Sequence, residues 1–193
     1  LAMYAPNEAS GGWWMLGGAL MIGLAMIFDG LDGSLARAKG EVTRWGDYLD
    51  HTIDRILDST WVVCLSASVF VNDLALGFAA ALLTLLGSYM GTQAQAVAGT
   101  RNYRGFSRAD RTVLTLLSLV IMGVMLLMDF STSAVFPGPF DHINVNPLSI
   151  VVFISALGGV WTFFVRFKQA QGDIQAIDKA DPLPQPAAKK QDE

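Results

Sequence analysis

The sequence predicts an all-α fold, a polytopic membrane helical bundle with five spans in this chain, on three observations. Apolar residues are 52% of the 193, and they fall in five long blocks: Trp13 to Phe28, Ile56 to Val71, Leu74 to Val97, Val113 to Met128, and Leu148 to Phe167. With its flanks, each block approaches the roughly 20 residues that cross about 30 Å of hydrocarbon. Charged residues are 16% of the chain, too few to solvate a soluble bundle of five such helices. If the spans alternate in direction, all 13 Lys and Arg fall on one side, which is the positive-inside asymmetry of membrane proteins.

The elements follow in chain order. Leu1 to Ala5 reads as the last turn of an earlier apolar helix, and no signal-peptide zoning accompanies it, so a preceding span is expected. Pro6 to Gly12, Asn72 to Asp73 and Asp129 to Pro147 carry no basic residue and are assigned to the far side. The last of these, with its Pro and Asn punctuation, is expected to be an irregular cap in which His142 is a surface residue. Cys64 stands alone in an apolar run and reads as a small buried hydrophobe. From Gln169 the apolar blocks stop and Pro, Gln, Ala and charge take over, so 1–168 is expected to be the membrane domain and 169–193 a disordered cytoplasmic tail. The net charge of −4 does not point to nucleic acid, because the basic residues serve topology.

The segment Phe28 to Asp54 reads FDGLDGSLARAKGEVTRWGDYLDHTID. Asp29, Asp32, Gly33, Ala36 and Arg37 follow the i, i+3, i+4, i+7, i+8 spacing of one helix face, and Gly46, Asp50 and Asp54 follow i, i+4, i+8 on the next. Two short-linked helices with these stripes facing would gather four carboxylates beside bare backbone, at the cytoplasmic interface. An Asp at mid-membrane costs on the order of 2.5–3.5 kcal/mol, and somewhat less near the interface. Hard divalent cations such as Mg²⁺ or Mn²⁺ take carboxylate oxygens and turn mutual repulsion into attraction. A pair of such ions, with Arg37 on the same stripe, suits a phosphate-bearing ligand. Gly33, Ala36 and Gly46 leave room for a flat nucleotide to approach the helices.

The pattern D-x2-D-G-x2-A-R-x8-G-x3-D-x3-D fixes eight residues, and chance agreement is on the order of one in a billion per starting position at background frequencies. It is similar, at every position, to the signature of the class I CDP-alcohol phosphatidyltransferases. That family has six spans, the first of which is the one expected before Leu1. The resemblance implies transfer of a phosphatidyl-type group from a CDP-linked lipid to a polar alcohol with release of CMP, using two divalent ions, Mg²⁺ or Mn²⁺. It also implies metal ligation by Asp29, Asp32 and Asp50, a base at Asp54 that also touches metal, and a CDP cradle of Gly33, Ala36, Arg37 and Gly46. A homodimer is implied as well.

Two features bear on the acceptor. The extension DHTIDRILD places Arg55 and Asp58 after the base, and GTRNYRGFSRADRT clusters Arg101, Arg104, Arg108 and Arg111. Both resemble the branches of the family that use inositol, the phosphatidylinositol phosphate and archaetidylinositol phosphate synthases, although the loop is one residue short and lacks a Glu. Inositol 1-phosphate is the expected acceptor, with Arg108 and Arg111 as its phosphate anchors and Arg101 and Arg104 beside them. Free inositol and glycerol 3-phosphate are the alternatives. Intramembrane carboxylates also suit a divalent-cation channel or carrier, which would have no use for Arg37 or the glycine strip.

Overall fold

The computed structural model describes residues 1–100, 103–130 and 134–182. Among them, five helices are joined by short connections: α1 (Ala9–Lys39), α2 (Arg44–Ser66), α3 (Leu74–Ala98), α4 (Arg108–Leu127) and α5 (Pro147–Ala180). Two single-turn 3₁₀ segments, Ala2–Tyr4 and Gly138–Phe140, precede α1 and α5. The first holds the buried Ala2 and packs on α1 and α2.

Local chemistry sets the helix ends. Gly40, left-handed at φ 68°, ends α1, and Glu41 N–H donates back to the Ala36 carbonyl at 3.0 Å, the pattern of a Schellman turn. Three residues after Gly40, Thr43 Oγ1 caps α2 by accepting from Gly46 N–H at 3.0 Å. Asp73 caps α3 through Leu76 N–H at 2.9 Å. Reciprocal capping boxes open α4, with Ser107 and Asp110, and α5, with Asn146 and Ser149.

Four helices, α1, α3, α4 and α5, are long and apolar enough to cross a membrane. The second apolar block of the sequence lies on α2, which is different. Its N-terminal two-thirds carries Asp47, Asp50, Asp54, Arg55 and Asp58, so no membrane-length stretch of it is free of charge. The expected disorder from Gln169 also does not hold, because α5 continues to Ala180. Extending an existing helix adds a hydrogen bond per residue without a new nucleus, and the Gln, Ala, Ile and Lys of this stretch are good or adequate helix formers. Residues 183–193 lie outside the described residues.

Helices α3 and α5 form the most extensive pair, α1 lies along α4, and α2 lies along α3. Consecutive α1 and α2 make no comparable contact. Small residues let backbones meet, as expected where apolar burial gives no preference for helix over lipid. A Cβ on Gly12 would stand 2.7 Å from the Gly123 carbonyl oxygen, and one on Gly159 would stand 2.8 Å from the Leu83 backbone. Side chains such as Leu20, Phe78, Leu157, Trp161 and Phe164 remain exposed on the outside, a surface suited to lipid.

The two ends of the bundle differ in kind. At one, Asn146 Nδ2 donates to the Phe70 carbonyl at 2.7 Å and His142, itself half exposed, pairs with Asp73 at 3.1 Å, tying the loop before α5 to the α2–α3 turn. At the other, Arg166 Nε donates to the Arg104 carbonyl at 2.8 Å, and Thr162 Oγ1 accepts from Phe106 N–H at 2.8 Å. These bonds seat the α3–α4 loop against α5 and so fix where α4 begins.

Candidate functional site

At the loop-seated end, the first turn of α4 faces the acidic stripes of α1 and α2. Arg108 is the meeting point. Its Nη1 lies 3.3 Å from Asp29 Oδ2 on α1 and 2.9 Å from Asp54 Oδ1 on α2, and its Nε lies 3.5 Å from Asp58 Oδ1. One turn along α4, Arg111 Nη2 donates to Asp58 Oδ2 at 2.7 Å and Nη1 donates to the Phe106 carbonyl at 3.2 Å. Arg111 and Asp58 are buried, at 4% and 2% exposure. Burying two ions is expensive unless they are paired and hydrogen-bonded, and here each has both kinds of partner.

Asp54 is buried among these charges, with Arg55 Nη2 at 3.9 Å from its second oxygen. Arg55 also donates to Ser88 Oγ on α3, which ties this face of α2 to the bundle. Asp50, one turn before Asp54, is exposed. Asp50, His51 and Asp54 each offer one ligand atom within 4.8 Å of the others. His51 also approaches Asp47, Nε2 to Oδ1, at 3.6 Å. His51 was not singled out from the sequence, yet its place beside Asp50 and one turn after Asp47 is a legible signal.

The acids therefore converge, although α1 and α2 do not pack face to face. Asp29 and Asp54 are within one guanidinium's reach of each other, and Asp50 adjoins Asp54. Asp32, one turn from Asp29, is exposed, and none of these ion pairs includes it. Around the acids, Arg37 lies over Gly33, where a Cβ would stand 3.5 Å from Arg37 Nη1. Ala36 contributes its carbonyl to the α1 terminus. A Cβ at Gly46 would come to 3.2 Å from Thr43 Oγ1, so this glycine also protects the α2 cap. Arg104 is exposed, and Arg101 lies outside the described residues.

The donor set fits a hard divalent cation. Carboxylates from two helices already surround one cationic group, the Arg108 guanidinium, and all are oxygen donors of the kind Mg²⁺ and Mn²⁺ take. Beside the acids opens a cavity of about 640 Å³ between α1, α2 and α4. Met21, Ile22 and Met26 of α1 and Leu57 and Trp61 of α2 make it apolar, while Asp29, Asp58 and Arg108 line its polar part. Such a space accepts something apolar that carries charge at one end.

Comparison with known proteins bears on the family. The family model described as CDP-alcohol phosphatidyltransferase matches residues 1–161. A phosphatidylinositol phosphate synthase of Cutibacterium acnes is 29% identical over 158 residues, which is 79% of this chain and 72% of that protein. One of Mycolicibacterium smegmatis is 27% identical over 175 residues, 88% of this chain and 71% of that protein. An archaetidylinositol phosphate synthase of Pyrococcus horikoshii is 37% identical over a shorter 71 residues, 37% of this chain and 35% of that protein. With Asp29, Asp50 and Asp54 of the signature near one another at one end of an apolar helical bundle and the family model matched along most of its length, the chain belongs to the CDP-alcohol phosphatidyltransferases, membrane-embedded transferases of phospholipid biosynthesis.

Proposed function

We propose that the protein transfers the phosphatidyl-type group of a CDP-linked lipid to inositol 1-phosphate and releases CMP. The observation that carries this reading is the convergence of Asp29 and Asp54, from the two halves of the signature, on a centre flanked by Arg108 and Arg111. The relatives named as phosphatidylinositol phosphate and archaetidylinositol phosphate synthases support the acceptor.

Asp29, Asp32, Asp50 and Asp54 would hold the divalent metal, Mg²⁺ or Mn²⁺, as two ions. When bound, it supplies positive charge to the diphosphate and to the oxygen that leaves. The protein's own groups do the rest. Gly33, Ala36, Arg37 and Gly46 cradle the CDP, Arg37 contributing a fork that matches phosphate oxygens. The apolar cavity takes lipid chain, whether acyl or isoprenoid. Arg108 and Arg111 receive the acceptor phosphate, with Arg104 and Arg101 on the same loop. Asp54 takes the proton of the acceptor hydroxyl as its oxygen bonds to the lipid-side phosphorus and the bond from that phosphorus to CMP breaks. The basic end of the bundle, and so the site, faces the cytoplasm by the positive-inside asymmetry. The working unit is a homodimer, as the family resemblance implies.

The test is an acceptor panel. Purified protein in CDP-lipid vesicles with Mn²⁺ should release CMP with inositol 1-phosphate and form the matching phosphoinositide. Turnover only with free inositol or glycerol 3-phosphate would reassign the acceptor. Cation flux across the vesicles without CMP release would instead support a channel.

A further inference from the structure

We infer that Arg108 and a divalent cation compete for Asp29 and Asp54, so that metal loading releases Arg108 to the acceptor phosphate and sets the order in which the site fills. The inference rests on the acceptor reading above. Its ground is the division of labour within one guanidinium. Nη1 makes the contacts to both signature acids, 3.3 Å to Asp29 and 2.9 Å to Asp54, whereas Nε faces Asp58 at 3.5 Å. Asp58 continues the α2 stripe one turn past the signature, and its other oxygen is held by Arg111 at 2.7 Å.

The consequence is mechanical. A cation that takes the oxygens of Asp29 and Asp54 removes the partners of Nη1 and leaves Nε beside Asp58. Arg108 then presents Nη1 as an unused prong beside the Arg111–Asp58 pair, and a guanidinium edge freed of its carboxylates is a binding site for phosphate oxygens. Without the metal, the same prong is neutralised and a phosphate finds only part of its partners. Arg108 is thus a positioning residue for the metal centre and a binding residue for the acceptor. By linkage, metal and acceptor phosphate must strengthen each other's binding by one common factor.

The experiment titrates Mn²⁺ into the purified full chain by electron paramagnetic resonance, with no nucleotide present. Arg108→Gln should bind Mn²⁺ at least about fivefold more tightly than wild type, the lower end of typical coupling. Arg108→Lys, shorter and without the fork, should fall between the two and guards against misfolding of the first variant. A merely structural arginine would not tighten metal binding when removed. In wild type, saturating Mn²⁺ should strengthen inositol 1-phosphate binding by a similar factor, and Arg108→Gln should lose that gain. Mn²⁺ affinity unchanged or weakened in both variants overturns the competition, and acceptor affinity indifferent to Mn²⁺ overturns the filling order. Tighter Mn²⁺ binding by a protein that turns over another acceptor overturns only the acceptor reading.

Discussion

Arg111 of α4 and Asp58 of α2 form a buried ion pair at 2.7 Å, with side-chain exposures of 5% and 2%. The pair locks the helix that bears the basic cluster to the helix that bears Asp54. Breaking it by removing one partner leaves the other charge buried alone, which costs about 3–5 kcal/mol. Asp58→Asn should therefore lower the thermal midpoint of the detergent-purified protein sharply. The double variant Asp58→Leu with Arg111→Met should regain much of that stability and still lack activity. Equal stability of Asp58→Asn and wild type would remove the pair from its structural role.

Asp54→Asn keeps the shape of the side chain and removes its basicity. CMP release should fall by about 10²–10⁴-fold, the usual contribution of a positioned base, with the helical circular dichroism signal unchanged. Full turnover by this variant would take the proton-accepting role away from Asp54.

Arg37→Lys preserves charge and discards the planar fork over Gly33. If Arg37 grips the diphosphate in two places, the KM for CDP-lipid should rise while that for the acceptor stays constant, since lysine is not an equivalent partner for phosphate. A change confined to the acceptor KM would place Arg37 elsewhere in the reaction.

Asp73 tests the opposite end. Its hydrogen bond from Leu76 N–H, with a smaller contribution from His142, holds its carboxyl below the usual carboxylate range. A group whose folded pKa is depressed contributes stability above its unfolded pKa and loses it as pH falls through the folded one. Asp73→Ala should cost about 0.5–2 kcal/mol at neutral pH, as loss of a helix cap does, and the difference from wild type should shrink in strong acid. Turnover should be unaffected, because the residue lies at the end of the bundle away from the acids.

Much of this was legible because helical periodicity is a local property. The apolar blocks marked the helices, and the spacing of Asp29, Asp32, Asp50 and Asp54 marked two faces before any packing was known. What spacing cannot encode is which helix lies next to which. The two stripes were expected to face each other across a short link, yet α1 packs on α4, and the link between the stripes is Arg108, brought in from far along the chain. The ion pair of Arg111 with Asp58 is non-local in the same way. The run of α5 to Ala180 was missed for another reason: composition averages over a segment, whereas a helix already nucleated by apolar packing needs only tolerable residues to continue.

The most direct measurement is CMP release before and after exhaustive chelation, followed by return of metal. If the carboxylates of α1 and α2 work by holding divalent ions against the CDP diphosphate, the chelated protein should be inactive and micromolar to millimolar Mn²⁺ or Mg²⁺ should restore it. Asp29→Asn and Asp50→Asn should need more metal or fail to recover. Undiminished CMP release in the continued presence of chelator would contradict a metal centre at these acids.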